Sequence, residues 1–345
     1  MGITHPKFKA AAVQAAPGFL DSEATVDKTI RLMQEAADHG ASLIVFPEAW
    51  LPGYPWWIWL GPPAWGMQFV QRYFDNSPSV GDDLFRRIER AAAKAKIEVV
   101  LGLSERAAGS LYLAQAFISS TGETRAVRRK LRPTHVERTV FGEGDGSDFK
   151  VFDTPLGRVG GLLCWEHLQP LSRYAMFSMN EQVHAAAWPT FSLYTDFAHA
   201  LGHELNLAAS ATYAAEGQCY VIAACGVVTQ EMLDLMKAPC PPEYLRVGGG
   251  YAMIFAPDGR RIAAALPPEQ EGLIYADIDL SMISLAKAAA DPTGHYSRPD
   301  VVRLMLNTEP MQRVEKLQPP LDSAARRENE PARETAAATE SRQPQ

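Results

Sequence analysis

Short apolar runs alternate with amphipathic stretches along this chain, a rhythm of α/β architecture rather than of all-α or all-β folds. Residues 8–14 read as a first strand. Val26, Ile30, Met33 and Ala37 recur on one face of a helix over 25–38, and Gly40 stands where a left-handed C-cap would end it. The unbroken apolar run 43–46 suits a strand covered on both faces. A second helix over 81–96 leads into a strand at 98–103. Strands at 111–119 and 159–163 follow, the first closed by a turn at 120–123. The second half repeats the rhythm with a strand at 184–188, a helix at 198–216 and a strand at 220–224. Three more strands are expected at 251–255, 261–265 and 273–278, separated by Pro257-Asp258-Gly259 and Pro267-Pro268. No fixed-period repeat is present, which excludes a solenoid. The pattern predicts about a dozen strands with helices outside them.

At 345 residues the chain makes one large α/β domain or two ordinary ones. Apolar residues at 47% and charged residues at 21% exclude a wholly disordered protein. A formal charge of −7 leaves no basic excess to neutralise phosphates, so nucleic acid is not an expected partner. The most apolar stretch, 51–66, contains four prolines and three glycines, so no span and no membrane partner is expected. No signal-peptide pattern opens the chain, and four cysteines are too few for a disulfide scaffold. A cytoplasmic protein with reduced thiols is the reading. Residues 311–345 carry six basic and six acidic residues, no aromatics and four prolines, which predicts a disordered tail beyond a domain of residues 1–310.

Three segments place a reactive side chain just after an apolar run. Glu48 follows Leu43-Ile44-Val45-Phe46-Pro47, at the carboxyl edge of a strand where open α/β sheets put ligand chemistry. Lys130 lies in the charge run Val127-Arg128-Arg129-Lys130-Leu131-Arg132; a charge run is ordinarily a solvated face, but a lysine buried beside carboxylates supplies a fixed positive charge for a developing anion. Cys164 ends the run Gly160-Gly161-Leu162-Leu163 and is followed at once by Trp165-Glu166-His167. A thiol there can be activated by a neighbouring base or cation, whereas Cys219, Cys225 and Cys240 read as small buried hydrophobes.

In order and in separation, 82 and then 34 residues, Glu48, Lys130 and Cys164 resemble the catalytic Glu, Lys and Cys of the nitrilase superfamily of carbon–nitrogen hydrolases. Thr134-His135-Val136-Glu137-Arg138 and the stretch from Cys164 to Leu171 resemble true nitrilases; the superfamily's amidases more often place Asn where His167 stands. Ala187-Trp188-Pro189 and residues 291–298 add later matches, so the resemblance covers about 8–305. It implies a four-layer α-β-β-α sandwich that hydrolyses an organic nitrile to the carboxylic acid and ammonia through a cysteine thioimidate and then a thioester. Cys164 would be the nucleophile, Glu48 the group that takes the thiol proton and activates water, and Lys130 the cation that stabilises the anionic intermediate and lowers the thiol pKa. Glu137 resembles the family's second active-site glutamate and would orient Lys130 or the substrate. No metal or cofactor is required. The resemblance also implies a homodimer formed through outer helices, extended in many relatives into larger oligomers or spirals.

Five of the seven tryptophans fall between Trp50 and Trp65, a cluster that serves equally as core or as interface. Tyr54, just past Glu48, is the residue expected to wall the substrate pocket, with Trp165 beside the nucleophile and Trp188 sizing the cavity; together they suggest an apolar, aryl-bearing nitrile. Two readings share the same residues: a cyanide-degrading relative, and an amidase acting on a preformed amide. His199 and His203 share a face of the expected helix at 198–216 beside Glu204, but without the H-E-x-x-H order of a zinc site, and satisfied structural histidines are the reading. The acidic loop 141–149, with Glu143, Asp145 and Asp148, lacks calcium-loop spacing and reads as a loop turning beside the site.

Overall fold

The computed structural model describes residues 4–316. The first half runs β1 (Lys7–Ala15), α1 (Ser22–Asp38), β2 (Ala41–Val45), α2 (Trp57–Leu60), α3 (Pro63–Asn76), α4 (Asp83–Ala95), β3 (Glu98–Ala107), β4 (Ser110–Ile118) and β5 (Thr124–Arg129). The second half runs β6 (Val151–Thr154), β7 (Gly157–Leu163), α5 (Pro170–Ser178), β8 (Val183–Trp188), α6 (His203–Gly217), β9 (Tyr220–Gly226), α7 (Gln230–Met236), β10 (Met253–Phe255), β11 (Gly272–Asp279) and α8 (Met282–Ala289).

Among the described residues the strands form one hydrogen-bonded path, β5-β4-β3-β2-β1-β9-β8-β7-β6, with β11 added to β1 and β10 to β9. The joint between β1 and β9 rests on just two residue pairs, Gln14 with Cys225 and Ala15 with Gly226, and the path folds there into two facing halves. Leu43, Val45 and Val100 of one half share a core with Val159, Ala185 and Ile222 of the other. Phe117 of β4 meets Phe152 of β6 at a ring separation of 4.8 Å, and the Gln115 amide reaches across to the Ala185 carbonyl at 3.1 Å. Outside, α1 and α4 set Val26, Met33, Phe85 and Ile88 against Ile44 and Val99. On the opposite face Phe177 of α5 meets Tyr213 of α6 at 4.8 Å, and Tyr213 lies over His184 of β8 at 3.8 Å. These layers make the expected α-β-β-α sandwich. Its central strands run parallel from β3 to β7, and β5 points the same way after two antiparallel turns. The segments just past β2, β5 and β7 therefore leave the sandwich at one edge, where parallel sheets present their chemistry.

Local sequence explains most elements and some departures. Asp21 caps α1 by accepting the Ala24 amide, and Gly40 at φ 81° closes the turn after it. The buried stripe of α1 includes Thr25, Thr29, Leu32 and Ala36, leaving Ile30 and Ala37 half-buried, because Thr29 turns inward to accept the Trp50 indole N–H at 2.7 Å. Helix α3 was hidden by its prolines; Pro63 sits in the first turn, where a missing N–H costs nothing. The strand expected at 261–265 is reduced to a bridge between Phe255 and Arg261 and a hydrogen bond from the Ile262 amide to the Ile254 carbonyl at 3.0 Å, and residues 264 and 265 are exposed. The helix expected over 198–216 is split: His199 lies in a short 3-10 turn and His203 opens α6 after Gly202. His203 stacks on Tyr251 instead of sharing a ligand face with His199. The compact unit ends at Pro310, residues 311–316 form neither helix nor strand, and the remainder of the expected tail lies outside the described residues.

Candidate active site

Each candidate side chain is placed by a specific local device. Pro47 ends β2, and its carbonyl lies so close over Gly102 of β3 that a Cβ there would meet it at 1.9 Å; the glycine lets the Glu48 segment settle on the sheet. Lys130 follows β5, and its amide is fixed by the Leu113 carbonyl at 2.7 Å. Cys164 follows β7 with φ 47°, a left-handed conformation that lifts the side chain out of the strand line and costs about 1–3 kcal/mol unless the surroundings hold it. Glu137 sits in the 3-10 turn His135–Thr139, where its carboxylate accepts the Thr134 amide at 2.5 Å in a capping box.

These devices bring the side chains together in a sealed cluster: Glu48, Lys130 and Glu137 are each 2% exposed or less. Lys130 Nζ donates to Glu48 Oε1 and to Glu137 Oε2, both at 2.8 Å. Tyr54 donates its hydroxyl to Glu137 Oε1 at 2.7 Å and accepts the Trp59 indole N–H at 3.1 Å. Glu48 Oε2 is buried and accepts no hydrogen bond. One ammonium thus faces two carboxylates. Burial pushes the Glu48 carboxyl upward, Lys130 draws it back and Glu137 pushes it up again, leaving it at about 8. Burial works against the Lys130 ammonium, yet Glu137 and Glu48 overcome it and keep the cation charged. Burial and the Glu48 charge raise the Cys164 thiol well above its ordinary value, against the pull of Lys130. Lys130 pulls toward the thiolate without holding the resting thiol ionised, so the low thiol pKa expected from the sequence is not reached.

A buried thiol that feels the charges of a lysine and of a carboxylate with an unoccupied lone pair suits attack on an electrophilic carbon with the proton passed to the carboxylate. The sequence matches the carbon-nitrogen hydrolase family over residues 9–288. The chain belongs to that family. It is 56% identical over 303 residues to a nitrilase of Pseudomonas syringae pv. syringae (strain B728a), covering 88% of this chain and 90% of the relative. It is 54% identical to an arylacetone-specific nitrilase of Alcaligenes faecalis, covering 89% and 87% of the two chains. Identities of this size put the carbon–nitrogen hydrolase in the nitrilase branch. Among solved structures the C. elegans NitFhit protein shares the fold at a TM-score of 0.69 and 19% identity, covering 90% of this chain and 70% of that one.

In this carbon–nitrogen hydrolase the pocket candidates separate. Tyr54 is buried with its hydroxyl directed to Glu137. Trp165 is half-buried and lines a cavity of about 420 Å³ together with Leu131, Pro133 and Thr134, the residues that follow Lys130. Trp188 is buried deeper, its indole N–H bonded to Ser210 and its ring stacked on His167 at 4.9 Å, so it backs the Cys164 turn. Of the tryptophan cluster, Trp50 and Trp57 are core, while Trp59 reaches Tyr54. Asp148 of the acidic loop accepts the Arg129 and Asp145 amides, bracing β5 beside the site. Among the described residues no group of three His, Cys, Asp or Glu side chains is arranged to hold a metal ion, and no helix is long and apolar enough to cross a membrane. Sequence reasoning missed Arg128 and Glu166. They form a buried ion pair at the site's base, and Arg128 carries no sequence signal that sets it apart from the charge run around it.

Proposed function

We propose that the chain hydrolyses an organic nitrile to the carboxylic acid and ammonia, with Cys164 as nucleophile. The observation that carries this reading is the pairing of Lys130 with both Glu48 and Glu137 while Glu48 Oε2 remains free to accept a proton. Because the resting thiol is held protonated, its proton passes to Glu48 as sulfur adds to the nitrile carbon, and Glu48 hands that proton to the nitrile nitrogen, giving a neutral thioimidate and restoring the carboxylate. Water delivered by Glu48 adds to the C=N carbon. The tetrahedral species, stabilised by the Lys130 ammonium, expels ammonia and leaves a thioester. A second water cleaves the C–S bond, releasing the acid and returning the thiol. Two waters are consumed for each nitrile. Glu137 holds Lys130 in register through the 2.8 Å bond and is itself fixed by Tyr54 and Thr134.

Similarity at 54–56% identity to a nitrilase and to an arylacetone-specific nitrilase supports an organic, aryl-bearing nitrile over hydrogen cyanide. Intact-protein mass spectrometry with ammonia release over phenylacetonitrile, benzonitrile, an aliphatic nitrile and cyanide tests the reading. A covalent adduct on wild type, no adduct and no ammonia with a folded Cys164→Ala variant, and acid as product are expected; turnover by Cys164→Ala would overturn it.

The same reading includes a second copy of the chain as partner. Helix α5 exposes Leu171 at 70%, and the neighbouring segment exposes Val301, Val302 and Met305 around an apolar cavity of about 830 Å³, an unusual surface for a lone subunit. A cytoplasmic, reducing setting fits a nucleophilic thiol and four unpaired cysteines.

A further inference from the structure

Behind the nucleophile runs a row of buried polar side chains that the chemistry above leaves unused. The Cys164 carbonyl meets His167 Nδ1 at 2.6 Å, His167 Nε2 meets His184 Nε2 at 2.9 Å, and His184 Nδ1 meets Glu181 Oε1 at 2.8 Å. Tyr213 closes the row by donating its hydroxyl to Glu181 Oε2 at 2.6 Å. All four side chains are 2% exposed or less, and Glu181 fits only because Gly160 lacks a Cβ, which would stand 2.2 Å from Oε1.

The donors can be assigned by elimination. A carbonyl oxygen only accepts, so His167 Nδ1 carries hydrogen and its Nε2, in the neutral ring, accepts. His184 Nε2 must then donate, which leaves His184 Nδ1 as an acceptor. Glu181 Oε1 must therefore present a hydrogen, as a carboxylic acid, or hand that same proton to His184 without changing any direction closer to the nucleophile. If the proton is lost, every contact must reverse to satisfy a Glu181 carboxylate, and one contact in the row then sets two acceptors against each other. Either the two histidine Nε2 atoms collide as lone pairs, or His167 turns a lone pair on the Cys164 carbonyl.

We propose that Tyr213, Glu181, His184 and His167 form a one-proton chain that positions the Cys164 turn, and that loss of the proton releases it. The inference rests on Cys164 as the nucleophile and explains what holds that residue at φ 47°. Burial keeps the Glu181 carboxyl protonated up to about 8 and pushes His184 well below, and His167 down to about 3, so the acid end carries the proton at neutral pH. The other ionisable groups facing the row are Arg128 from β5, Glu166 on the nucleophile turn and Cys219 before β9. Arg128 and Glu166 neutralise each other, and the Cys219 thiol is itself pushed up by burial, so Glu181 yields first as pH rises.

Glu181→Gln separates the donor from the charge, since its amide N–H donates to His184 and its carbonyl accepts from Tyr213 at every pH. Glu181→Leu removes both functions. At pH 7 we expect kcat for Glu181→Leu to fall about tenfold or more with KM little changed, as for a slight misplacement of the nucleophile, and Glu181→Gln to rescue most of it. Above about pH 9 wild type should lose activity that Glu181→Gln retains. A Glu181→Gln variant as impaired as Glu181→Leu, or with the pH profile of wild type, would overturn the proposal. Should Glu181→Leu fail to fold, the Glu181→Gln profile still decides. Histidine-selective ¹⁵N NMR of the folded wild-type protein gives a readout without turnover: hydrogen on His167 Nδ1 and His184 Nε2 supports the chain, and hydrogen on His167 Nε2 overturns it. That measurement holds even if the nitrile panel shows no activity, which would count against the proposed function alone.

Discussion

Glu166 and Arg128 clasp each other through two hydrogen bonds of 2.6 and 2.8 Å, and the same carboxylate accepts the backbone amides of Leu131 at 2.9 Å and Leu163 at 2.8 Å. Leu131 follows Lys130 and Leu163 precedes Cys164, so one buried carboxylate ties together the two segments that carry Lys130 and Cys164. Burial alone would raise the Glu166 carboxyl; the Arg128 charge and the four donors overcome this and hold it below its ordinary value.

Removing one partner of this clasp strands a charge in the interior. Arg128→Met should therefore destabilise the fold by about 3–5 kcal/mol, measured as a fall in denaturant midpoint. Combining it with Glu166→Leu should cost less than the sum of the single changes, because the second substitution removes the stranded charge. A strictly additive pair would refute the coupling. Since Glu166 is held low in the folded state, the stability it contributes is present above about pH 4.5 and lost as pH falls through its folded value.

Lys130 is the one cation among the groups that act on the Cys164 thiol. Lys130→Met keeps the length of the side chain and leaves Glu48 and Glu137 facing each other without it. The loss in kcat should reach about 10²–10³ or more, the usual cost of removing a donor that stabilises a developing anion. Iodoacetamide should also alkylate Cys164 more slowly at neutral pH, since the thiol loses the Lys130 charge that lowers its pKa. An unchanged alkylation rate would mean that Lys130 acts on the substrate alone.

Tyr54 tests whether the second carboxylate must be oriented. Tyr54→Phe removes the 2.7 Å bond to Glu137 Oε1 and leaves the Trp59 N–H without its acceptor, while the ring packing against Trp56 remains. A drop in kcat of about tenfold with stability lowered by about 1–3 kcal/mol is expected, checked by steady-state kinetics beside thermal unfolding.

The reactive trio was legible because each member follows an apolar run that ends abruptly, a local pattern that marks the carboxyl edge of a strand. Its supporting groups were not legible in the same way. Arg128 looks like part of a solvated charge run until Glu166, distant in sequence, folds against it and buries both. His167 stands three residues from Cys164 and invites reading as its base, yet its ring faces the backbone carbonyl and His184. The layered α/β architecture followed from hydrophobic rhythm, but 261–265 carries a strand pattern and pairs with β10 only at its first two residues, and α3 carries prolines at its start that obscure an ordinary helix. Periodicity reports which face of an element is apolar. It is silent on which distant side chain will satisfy a buried charge, and most of this site is built from such pairs.

Glu48 joins the site's chemistry to its instability. In the fold its carboxyl is raised by burial from 4.5 to about 8, so the native state binds a proton that the unfolded chain has already released. Stability therefore declines as pH rises from about 4.5 to 8, the opposite of a paired surface carboxylate. Activity runs the other way, because the ionised form is the base: kcat/KM of the free enzyme should climb towards about pH 8, before the alkaline loss assigned to Glu181, on a limb that belongs to the coupled cluster of Glu48, Cys164 and Lys130. Glu48→Gln should abolish that ascending limb and lower turnover by about 10²–10⁴. It should also raise the melting temperature at pH 9 relative to wild type, since no buried carboxylate need ionise there. A variant that loses activity without gaining stability at alkaline pH would show that Glu48 is already ionised in the resting fold, leaving the Cys164 thiol as the protonated member of the pair.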